Sequence, residues 1–359
     1  MNTSQYVLYI GSYATADQPG IHACTFDNTT GELNLHASFA GVANPSFVVV
    51  HPNGHWLYAV SETNQQQEGV SGAVWAFRCR HEPWSIEPIN HQMSGGDSPC
   101  HLEIDANGRW LLVSNYASGT VGVLPILADG ALGEMTDLIQ HHGRGPQSER
   151  QEGPHAHSAT FAPDHRFVIV ADLGIDALLV YAFDPSTGRL HAHTHTITRP
   201  GAGPRHLAFH SNGQLVYVAN ELDNTVAVYD YAAANGRLRE RQVVETLPST
   251  ASESTVADIH ISPLGDRVYV SNRGHDSVTI FAVEAGGRLA RLAIRSCGGR
   301  WPRNFAIAPG NRFLLVANQY SDEVVVLPVL SGSEALGAAI ARAAVMGVSC
   351  VHFVATTQV

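Results

Sequence analysis

The stretch "GPRHLAFHSNGQLVYVANELDNT", residues 203–225, contains two apolar runs separated by an Asn-Gly pair. Apolar runs on either side of Asn-Gly predict a β-hairpin with a tight turn. Arg205 precedes the first run and Glu221 follows the second. In such a hairpin the start of the first strand and the end of the second lie together, away from the turn. The sequence therefore predicts that Arg205 and Glu221 are neighbours.

The same plan recurs along the chain. Six segments run strand, turn, strand, then a small or polar pair, and most are followed by a further apolar run such as "TVAVYDY" or "SVTIFAV". The six segments are "NPSFVVVHPNGHWLYAVSE", "SPCHLEIDANGRWLLVSNY", "HAHSATFAPDHRFVIVADL", "GPRHLAFHSNGQLVYVANE", "VADIHISPLGDRVYVSNR" and "WPRNFAIAPGNRFLLVANQ". Their second strands end 46 to 57 residues apart, at Glu62, Tyr116, Leu173, Glu221, Arg273 and Gln319. A period near 50 with three or four strands per unit predicts propeller blades.

A seventh copy is split between the chain ends. "YVLYIGSY", ending at Tyr13, lacks a first strand, and "VSCVHFV" at 348–354 has strand character. Joining the two in one blade closes the ring and removes the open sheet edges. We expect an all-β, seven-bladed β-propeller forming a single domain over residues 1–359. A solenoid is the alternative, but solenoids carry capping repeats instead of a split one.

One segment departs from the repeat. Residues 331–347, before the closing strand, include the Ala-rich "GSEALGAAIARAAVMG" at 332–347. Alanine is the strongest helix former. This composition favours a helix there.

Composition limits the partners. The formal net charge is -11 and no basic block is present, which argues against nucleic acid. A local arginine cluster can still attract an anion. The five cysteines are odd in number and form no C-x-x-C, so neither a disulfide framework nor a zinc knuckle is expected.

The sequence also lacks targeting signals and several catalytic motifs. The start "MNTSQYVLYIGSY" resembles a strand more than a signal peptide, and no apolar run has membrane-spanning length. We expect a soluble cytoplasmic protein, monomeric or weakly oligomeric. G-x-S-x-G, H-E-x-x-H, P-loop and dinucleotide motifs are absent. No cofactor is expected.

The hairpin geometry applies to every blade and predicts two sets of residues at one mouth of the central channel. The first strands start at Ser46, Cys100, His157, Arg205, Ala257 and Arg303. The second strands end at the residues given above, each preceded by a small or polar residue: Ser12, Ser61, Asn115, Asp172, Asn220, Asn272 and Asn318. Histidine, glutamate and several arginines from different blades make up a site suited to an anion or a carbonyl group.

Each of these residues also has a purely structural explanation that does not need a binding site. An Asn or Asp before a loop most often caps a turn through the backbone. Glu221 and Arg273 could form nothing more than an ion pair at the rim. His155 and His157 are two apart on one strand and resemble a metal-binding pair, but no third ligand follows at a suitable spacing. No metal is expected.

Several motifs resemble those of a known family. "PHAHS", "DLG", "GPRH", "NEL" and "SNRG" together closely resemble the seven-bladed β-propeller lactonases, and the likeness runs from "YIGSY" to "SCVHFV". That family includes bacterial 6-phosphogluconolactonases and fungal carboxy-muconate lactonizing enzymes. The Ala-rich segment departs from the polar hairpin that the family usually has at this place. The departure puts the outer strands of the closing blade in doubt.

The resemblance implies a fold and a catalytic set. It implies the seven-bladed propeller, and a catalytic set of His157, Arg205, Glu221 and Arg273. Neighbouring positions are expected to bind the substrate: His155, Arg303, Asn272, Asn220, Asp172 and Gln319. Arg303, and Arg150 as a further candidate, are available to hold a phosphate group.

The expected reaction is hydrolysis of a sugar-phosphate lactone. The substrate named by the resemblance is 6-phosphogluconolactone, in the oxidative pentose phosphate route. Glu221 or His157 would activate water, and arginines would stabilise the oxyanion. One alternative is a cycloisomerase or lactonase acting on a muconate-type intermediate, because arginine binds carboxylate and phosphate alike. The other is a propeller scaffold without chemistry, since the fold hosts both roles.

Overall fold

The computed structural model describes residues 5–248 and 253–354, and these ranges form seven four-stranded antiparallel sheets arranged in a ring. The strands are β1 (Gln5–Ser12), β2 (Ile21–Asp27), β3 (Leu33–Phe39), β4 (Val48–Val50), β5 (Trp56–Ser61), β6 (Ala73–His81), β7 (Trp84–Met93), β8 (Pro99–Ile104), β9 (Trp110–Asn115), β10 (Thr120–Pro125), β11 (Asp137–Gln140), β12 (Ala156–Phe161), β13 (Phe167–Asp172), β14 (Ala177–Asp184), β15 (Arg189–Ile197), β16 (Pro204–Phe209), β17 (Leu215–Asn220), β18 (Thr225–Ala232), β19 (Arg237–Glu245), β20 (Thr255–Ile261), β21 (Arg267–Arg273), β22 (Ser277–Val283), β23 (Leu289–Ser296), β24 (Pro302–Ile307), β25 (Phe313–Asn318), β26 (Glu323–Pro328), β27 (Ala341–Ala344) and β28 (Val348–Phe353).

The ring closes through a shared blade, as the sequence predicts. Blade 1 has the strand order β28-β1-β2-β3, and blades 2 to 7 each take four consecutive strands from β4 onward. β28 pairs antiparallel with β1, so the last strand supplies the inner strand of the first blade. The innermost strands of neighbouring blades contact one another around the axis, with β28 lying between β24 and β4. The seven-bladed propeller is confirmed.

The second strand of each blade carries much of the core. β9, β13, β17 and β25 are buried along their whole length, because blades pack against both faces of these strands. Tyrosines in two second strands also tie blades together. The hydroxyls of Tyr58 and Tyr217 donate to the carbonyls of Gly130 and Gly287 in the following blade, each at 3.0 Å. A hydrogen bond of this kind typically adds about 0.5–1.5 kcal/mol.

The hairpin turns lie at the opposite face from the starts of the first strands. Gly213 adopts φ 65° in the Asn212-Gly213 turn, a conformation that glycine reaches without steric cost. His210 beside this turn contacts the carbonyl of Gly265 in blade 6. His51 makes the same contact with Gly108, between blades 2 and 3. These turn residues therefore fix neighbouring blades far from the predicted site.

The helix expected in the Ala-rich segment is wrong. Residues 341–344 form β27, which pairs with β26 and completes blade 7. Within β27 the half-buried Ala341 and Ala343 alternate with the exposed Arg342 and Ala344, the two-residue period of a strand. Helix propensity is worth only tenths of a kcal/mol per residue, less than the ladder and packing gained by covering the edge of β26. The closing blade thus keeps its outer strand.

Helical structure in the described chain is limited to two single turns. α1 (Gln65–Glu68) follows β5, and a 3₁₀ turn (Gln319–Ser321) follows β25. Neither has the length or apolar content needed to cross a membrane.

Candidate active site

The charged ends of the opening hairpin meet, as the sequence predicts. Pro204 on β16 pairs with Asn220 on β17. Arg205 and Glu221 are the residues that follow this pair on their strands, so both lie at this end of the hairpin. Nε of Arg205 lies 2.9 Å from Oε2 of Glu221. Both side chains are buried, with 3% of their surface exposed.

A β-bulge lies near the start of most inner strands and redirects a side chain toward the channel. The register slips between Pro204 and His206, and it slips at the matching place in blades 3, 4, 6 and 7. A bulge places two residues opposite one and redirects their side chains. The extra residue is Cys100 in blade 3, His157 in blade 4, Arg205 in blade 5 and Arg303 in blade 7.

Three arginines surround the carboxylate of Glu221. Oε1 accepts a hydrogen bond of 2.6 Å from Nη2 of Arg150, and Oε2 lies 2.8 Å from Nη2 of Arg273 besides its contact with Arg205. Burial raises the pKa of Glu221, but the guanidinium groups of Arg273, Arg205 and Arg150 outweigh it and hold that pKa well below its usual range. The cluster therefore keeps a net charge of two positive units in a protein whose overall charge is negative.

Arg303 adds a fourth cation at the same mouth. Its guanidinium lies 5.0 Å from the ring centre of Tyr13, a cation–π contact. The Tyr13 hydroxyl donates to Oε2 of Glu62 at 2.8 Å, and the Ser46 hydroxyl donates to the same oxygen. Within residues 5–248 and 253–354, no carboxylate lies in ion-pair distance of Arg303. Burial lowers the pKa of Arg303, but the nearby Tyr13, Glu62 and Glu221 outweigh it and raise that pKa.

The predicted histidines take different positions. His155 stacks on Tyr116 with ring centres 4.4 Å apart, and its Nδ1 contacts the Tyr116 carbonyl at 2.9 Å. His157 is 5% exposed, and its Nδ1 lies 3.7 Å from Sγ of Cys100. Burial and the nearby charges of Arg205 and other groups hold the pKa of His157 well below its usual value, so the imidazole is uncharged at neutral pH. Among the described side chains, no group of three His, Cys, Asp or Glu residues could hold a metal ion.

Three of the four remaining predicted side chains bond to neighbouring protein groups. The Asn220 amide donates to Thr225, and the Asn272 amide donates to two hydroxyls of β22, so both brace the next strand. Asp172 accepts from the backbone of His155 at 2.8 Å and contacts Nδ1 of His141 at 2.6 Å. Gln319 begins the 3₁₀ turn. Their roles in substrate binding stay predictions.

At the centre of the ring lies a narrow hollow. Its volume is about 10 Å³, which holds roughly one water molecule. Its walls come from five blades and carry both charges: Ser46, Phe47, Glu62, Cys100, Arg205, His206, Arg303, Asn304 and Ser349. Arg150, which is 41% exposed, reaches over the cluster from the loop before β12.

Three residues that line the hollow were not predicted from the sequence: Ser349, His206 and Asn304. Ser349 completes the set of first-strand positions in blade 1, and the split blade already implied a seventh member. His206 and Asn304 follow the bulged residues directly. Simple alternation turns such residues away from the channel, and only recognition of the recurring bulge would have found them.

Comparisons with known proteins agree with the fold. Residues 7–353 match the family described as "Lactonase, 7-bladed beta-propeller". A Bacillus subtilis protein named 6-phosphogluconolactonase is 36% identical over 90% of this chain and 90% of its own length.

Two solved structures resemble this chain over nearly its whole length. One is of a Bacteroides fragilis protein described as a candidate 6-phosphogluconolactonase, with TM-score 0.91 and 32% identity, covering 99% of both chains. The other, with the same TM-score and identity, is the periplasmic gluconolactonase of Pseudomonas aeruginosa, covering 98% of this chain and 99% of that one.

Proposed function

The chain belongs to the seven-bladed β-propeller lactonase family, and from that premise we propose that it hydrolyses 6-phosphogluconolactone to 6-phosphogluconate. The observation that carries the proposal is the buried arginine cluster around Glu221 at the channel mouth. A scaffold has no need to bury the guanidinium groups of Arg205 and Arg273 around one carboxylate, because taking ions out of water costs several kcal/mol each.

The substrate chemistry suits the distribution of cations. A phosphate group carries nearly two negative charges at neutral pH, and arginine binds it through a planar fork of donors. Arg303 has no carboxylate partner among the described residues, and Arg150 is partly exposed. We assign the phosphate to these two residues. Arg205, which lines the hollow, and Arg273, which is buried with it around Glu221, then face the lactone carbonyl.

The reaction needs a water nucleophile, a base and a stabilised oxyanion. Water adds to the carbonyl carbon while a base takes its proton, and the carbonyl oxygen becomes negatively charged. Arg205 and Arg273 stabilise that charge. Loss of one such donor typically costs about 10²–10³ in kcat. The intermediate collapses by breaking the bond to the ring oxygen, which takes up a proton and becomes a hydroxyl.

Glu221 serves this reaction better as an anchor than as a base. A carboxylate bound by three guanidinium groups has little affinity for a proton, in line with its lowered pKa. Its charge holds Arg205 and Arg273 in place. An uncharged buried imidazole is better suited than Glu221 to take the proton from water, and His157 carries one such imidazole.

The state of the cysteines bears on the cellular compartment. The five cysteines are free and buried, which suits a reducing cytoplasm. We place the enzyme there as a monomer or weak oligomer, with the sugar-phosphate lactone as its partner. The Pseudomonas aeruginosa relative is named as periplasmic and as a gluconolactonase, so an unphosphorylated lactone is the competing substrate.

Hydrolysis of fresh 6-phosphogluconolactone, followed against the spontaneous rate, tests the proposal. We expect clear acceleration by the pure protein and a larger kcat/KM than for glucono-δ-lactone. Arg205→Ala should lower kcat by about 10²–10³, whereas Arg237→Ala, a matched change on the exposed outer strand β19, should leave it unaltered. No acceleration by the wild-type protein would contradict the function.

A further inference from the structure

A buried His–Asp pair lies directly below the arginine cluster. Nδ1 of His206 lies 2.8 Å from Oδ1 of Asp258, which projects from the inner strand of the next blade, β20. The two residues are 7% and 3% exposed. His206 is the second residue of the bulge that turns Arg205 into the channel.

The carboxylate of Asp258 is bound on both oxygens. Besides His206, Oδ1 accepts from the backbone of Ile259 at 2.9 Å. Oδ2 lies 2.9 Å from Nε2 of His260 and accepts from the Asn304 amide at 2.6 Å. Burial raises the pKa of Asp258, but the imidazoles of His260 and His206 hold it well below its usual value. Asp258 is therefore a fixed anion that accepts hydrogen bonds.

These contacts set the tautomer of His206. An ionised carboxylate can only accept, so Nδ1 carries the proton and donates it to Asp258. Nε2 then holds the electron pair of the ring. Nη1 of Arg205, the cation assigned to the carbonyl oxygen, lies 3.2 Å away and donates a hydrogen bond to this electron pair. His206 also lines the central hollow, whereas His157 does not.

We propose that His206 is the general base that activates the hydrolytic water, and that Asp258 is its positioning residue. The inference rests on the proposed lactone hydrolysis and names the base within it. His157 packs against His206 with ring centres 5.4 Å apart and supports the ring.

The proton is accounted for in each step. When the lactone binds, Nη1 of Arg205 donates to the carbonyl oxygen instead of to Nε2. Nε2 then takes a proton from water as the water oxygen bonds to the carbonyl carbon, and the carbonyl oxygen becomes the oxyanion. When the intermediate collapses, the bond to the ring oxygen breaks and Nε2 returns the proton to that oxygen. The new carboxylic acid loses its proton to solvent, and the imidazole is again uncharged.

Neighbouring charges decide the basicity of His206. Burial and the Arg205 cation lower the pKa of His206 to about 4, while Asp258 acts in the opposite direction. A base must be unprotonated, so kcat/KM should fall as pH drops through that value. The ionisable groups that face His206 from its own and adjoining strands are Arg205, Asp258, His260, His101 and His157.

The first test replaces each imidazole in turn in the full-length protein, with 6-phosphogluconolactone as substrate. His206→Gln should lower kcat by about 10²–10⁴ with little change in KM, the usual range for loss of a general base. His157→Gln should cost less. His191→Gln, on the exposed outer strand β15, is the matched control and should keep full activity. A wild-type kcat in His206→Gln overturns the inference.

The second test separates positioning from a purely structural role. Asp258→Asn removes the anion that raises the basicity of His206, so the acid limb of kcat/KM should move to lower pH while kcat falls. Both proteins act on the same phosphate ester, so a difference between their profiles belongs to the protein. An unshifted acid limb in Asp258→Asn contradicts the proposal even if His206→Gln does not fold. Either negative result, with an active wild-type enzyme, removes the assigned base and leaves the lactonase standing.

Discussion

Replacement of Glu221 by glutamine would remove the one carboxylate that three arginines share. Glutamine keeps the size of the side chain but not its charge. Arg205 and Arg273 would then be buried at 3% and 6% exposure beside a neutral amide. Their positive charges would repel one another in a medium that screens poorly. We therefore expect Glu221→Gln to destabilise the fold as well as disturb the site.

The size of the effect follows from burial. Removing one partner of a buried ion pair costs about 3–5 kcal/mol. The unfolding entropy is about 2.1 cal/mol/K per residue. For a chain of 359 residues, the free energy of unfolding therefore changes by about 0.75 kcal/mol for each degree near Tm. The Tm of Glu221→Gln should thus fall by about 4–7 °C at neutral pH.

Acidification gives a second readout with a definite sign. The folded pKa of Glu221 is depressed, so its stabilising effect is present above the unfolded pKa of about 4.3 and is lost as pH falls toward the folded value. Glutamine does not titrate, so the Glu221→Gln protein lacks this pH-dependent contribution to stability. The difference in Tm between wild type and Glu221→Gln should be constant from pH 8 to 6 and should shrink below about pH 4.

Thermal unfolding of both proteins, alongside a surface control, measures this. Glu240 forms a 3.5 Å pair with Arg199 at 38% exposure, and such pairs contribute only about 0–1 kcal/mol. Glu240→Gln should therefore leave Tm nearly unchanged. If Glu221→Gln proves as stable as wild type at pH 7, or if both substitutions cost the same, the buried cluster does not have the energetics described.

Two further predictions concern substrate choice and ring closure. Arg303→Gln should raise KM for 6-phosphogluconolactone at least tenfold, because a charge-assisted hydrogen bond contributes about 1.5–3 kcal/mol. KM for glucono-δ-lactone, which has no phosphate, should stay unchanged. An equal effect on both lactones would exclude phosphate binding by Arg303. Gly347→Ala should destabilise the closing blade by at least about 1–2 kcal/mol, because Gly347 has φ 60° and an added Cβ would meet the Tyr13 carbonyl. Denaturant unfolding measures this. A free energy of unfolding equal to that of wild type would show that this turn is not constrained.

The architecture was predictable because short-range sequence patterns determine each repeat. Apolar runs, Asn-Gly turns and a period near 50 predict the blades, and the incomplete first copy predicts closure by the last strand. Arg205 and Glu221 were predictable neighbours for the same reason, since a hairpin brings its ends together whatever surrounds it.

The unpredicted features depend on tertiary contacts. Two-residue alternation places His206 away from the channel, and the bulge that reverses this shows in the pairing register of the strands. Arg150 lies in a loop outside the repeat, so the hairpin geometry gives it no position. The Ala-rich segment forms a strand because β26 offers it an edge, which outweighs the local preference for helix.

The central claim is that the cations gathered at one mouth of the channel bind and hydrolyse a phosphorylated lactone. A crystal structure of the protein soaked with the product, 6-phosphogluconate, tests it most directly. We expect the phosphate at Arg303 and Arg150, and the carboxylate between Arg205 and Arg273 within reach of Nε2 of His206. Product bound elsewhere, with the arginine cluster left unchanged, would contradict the claim.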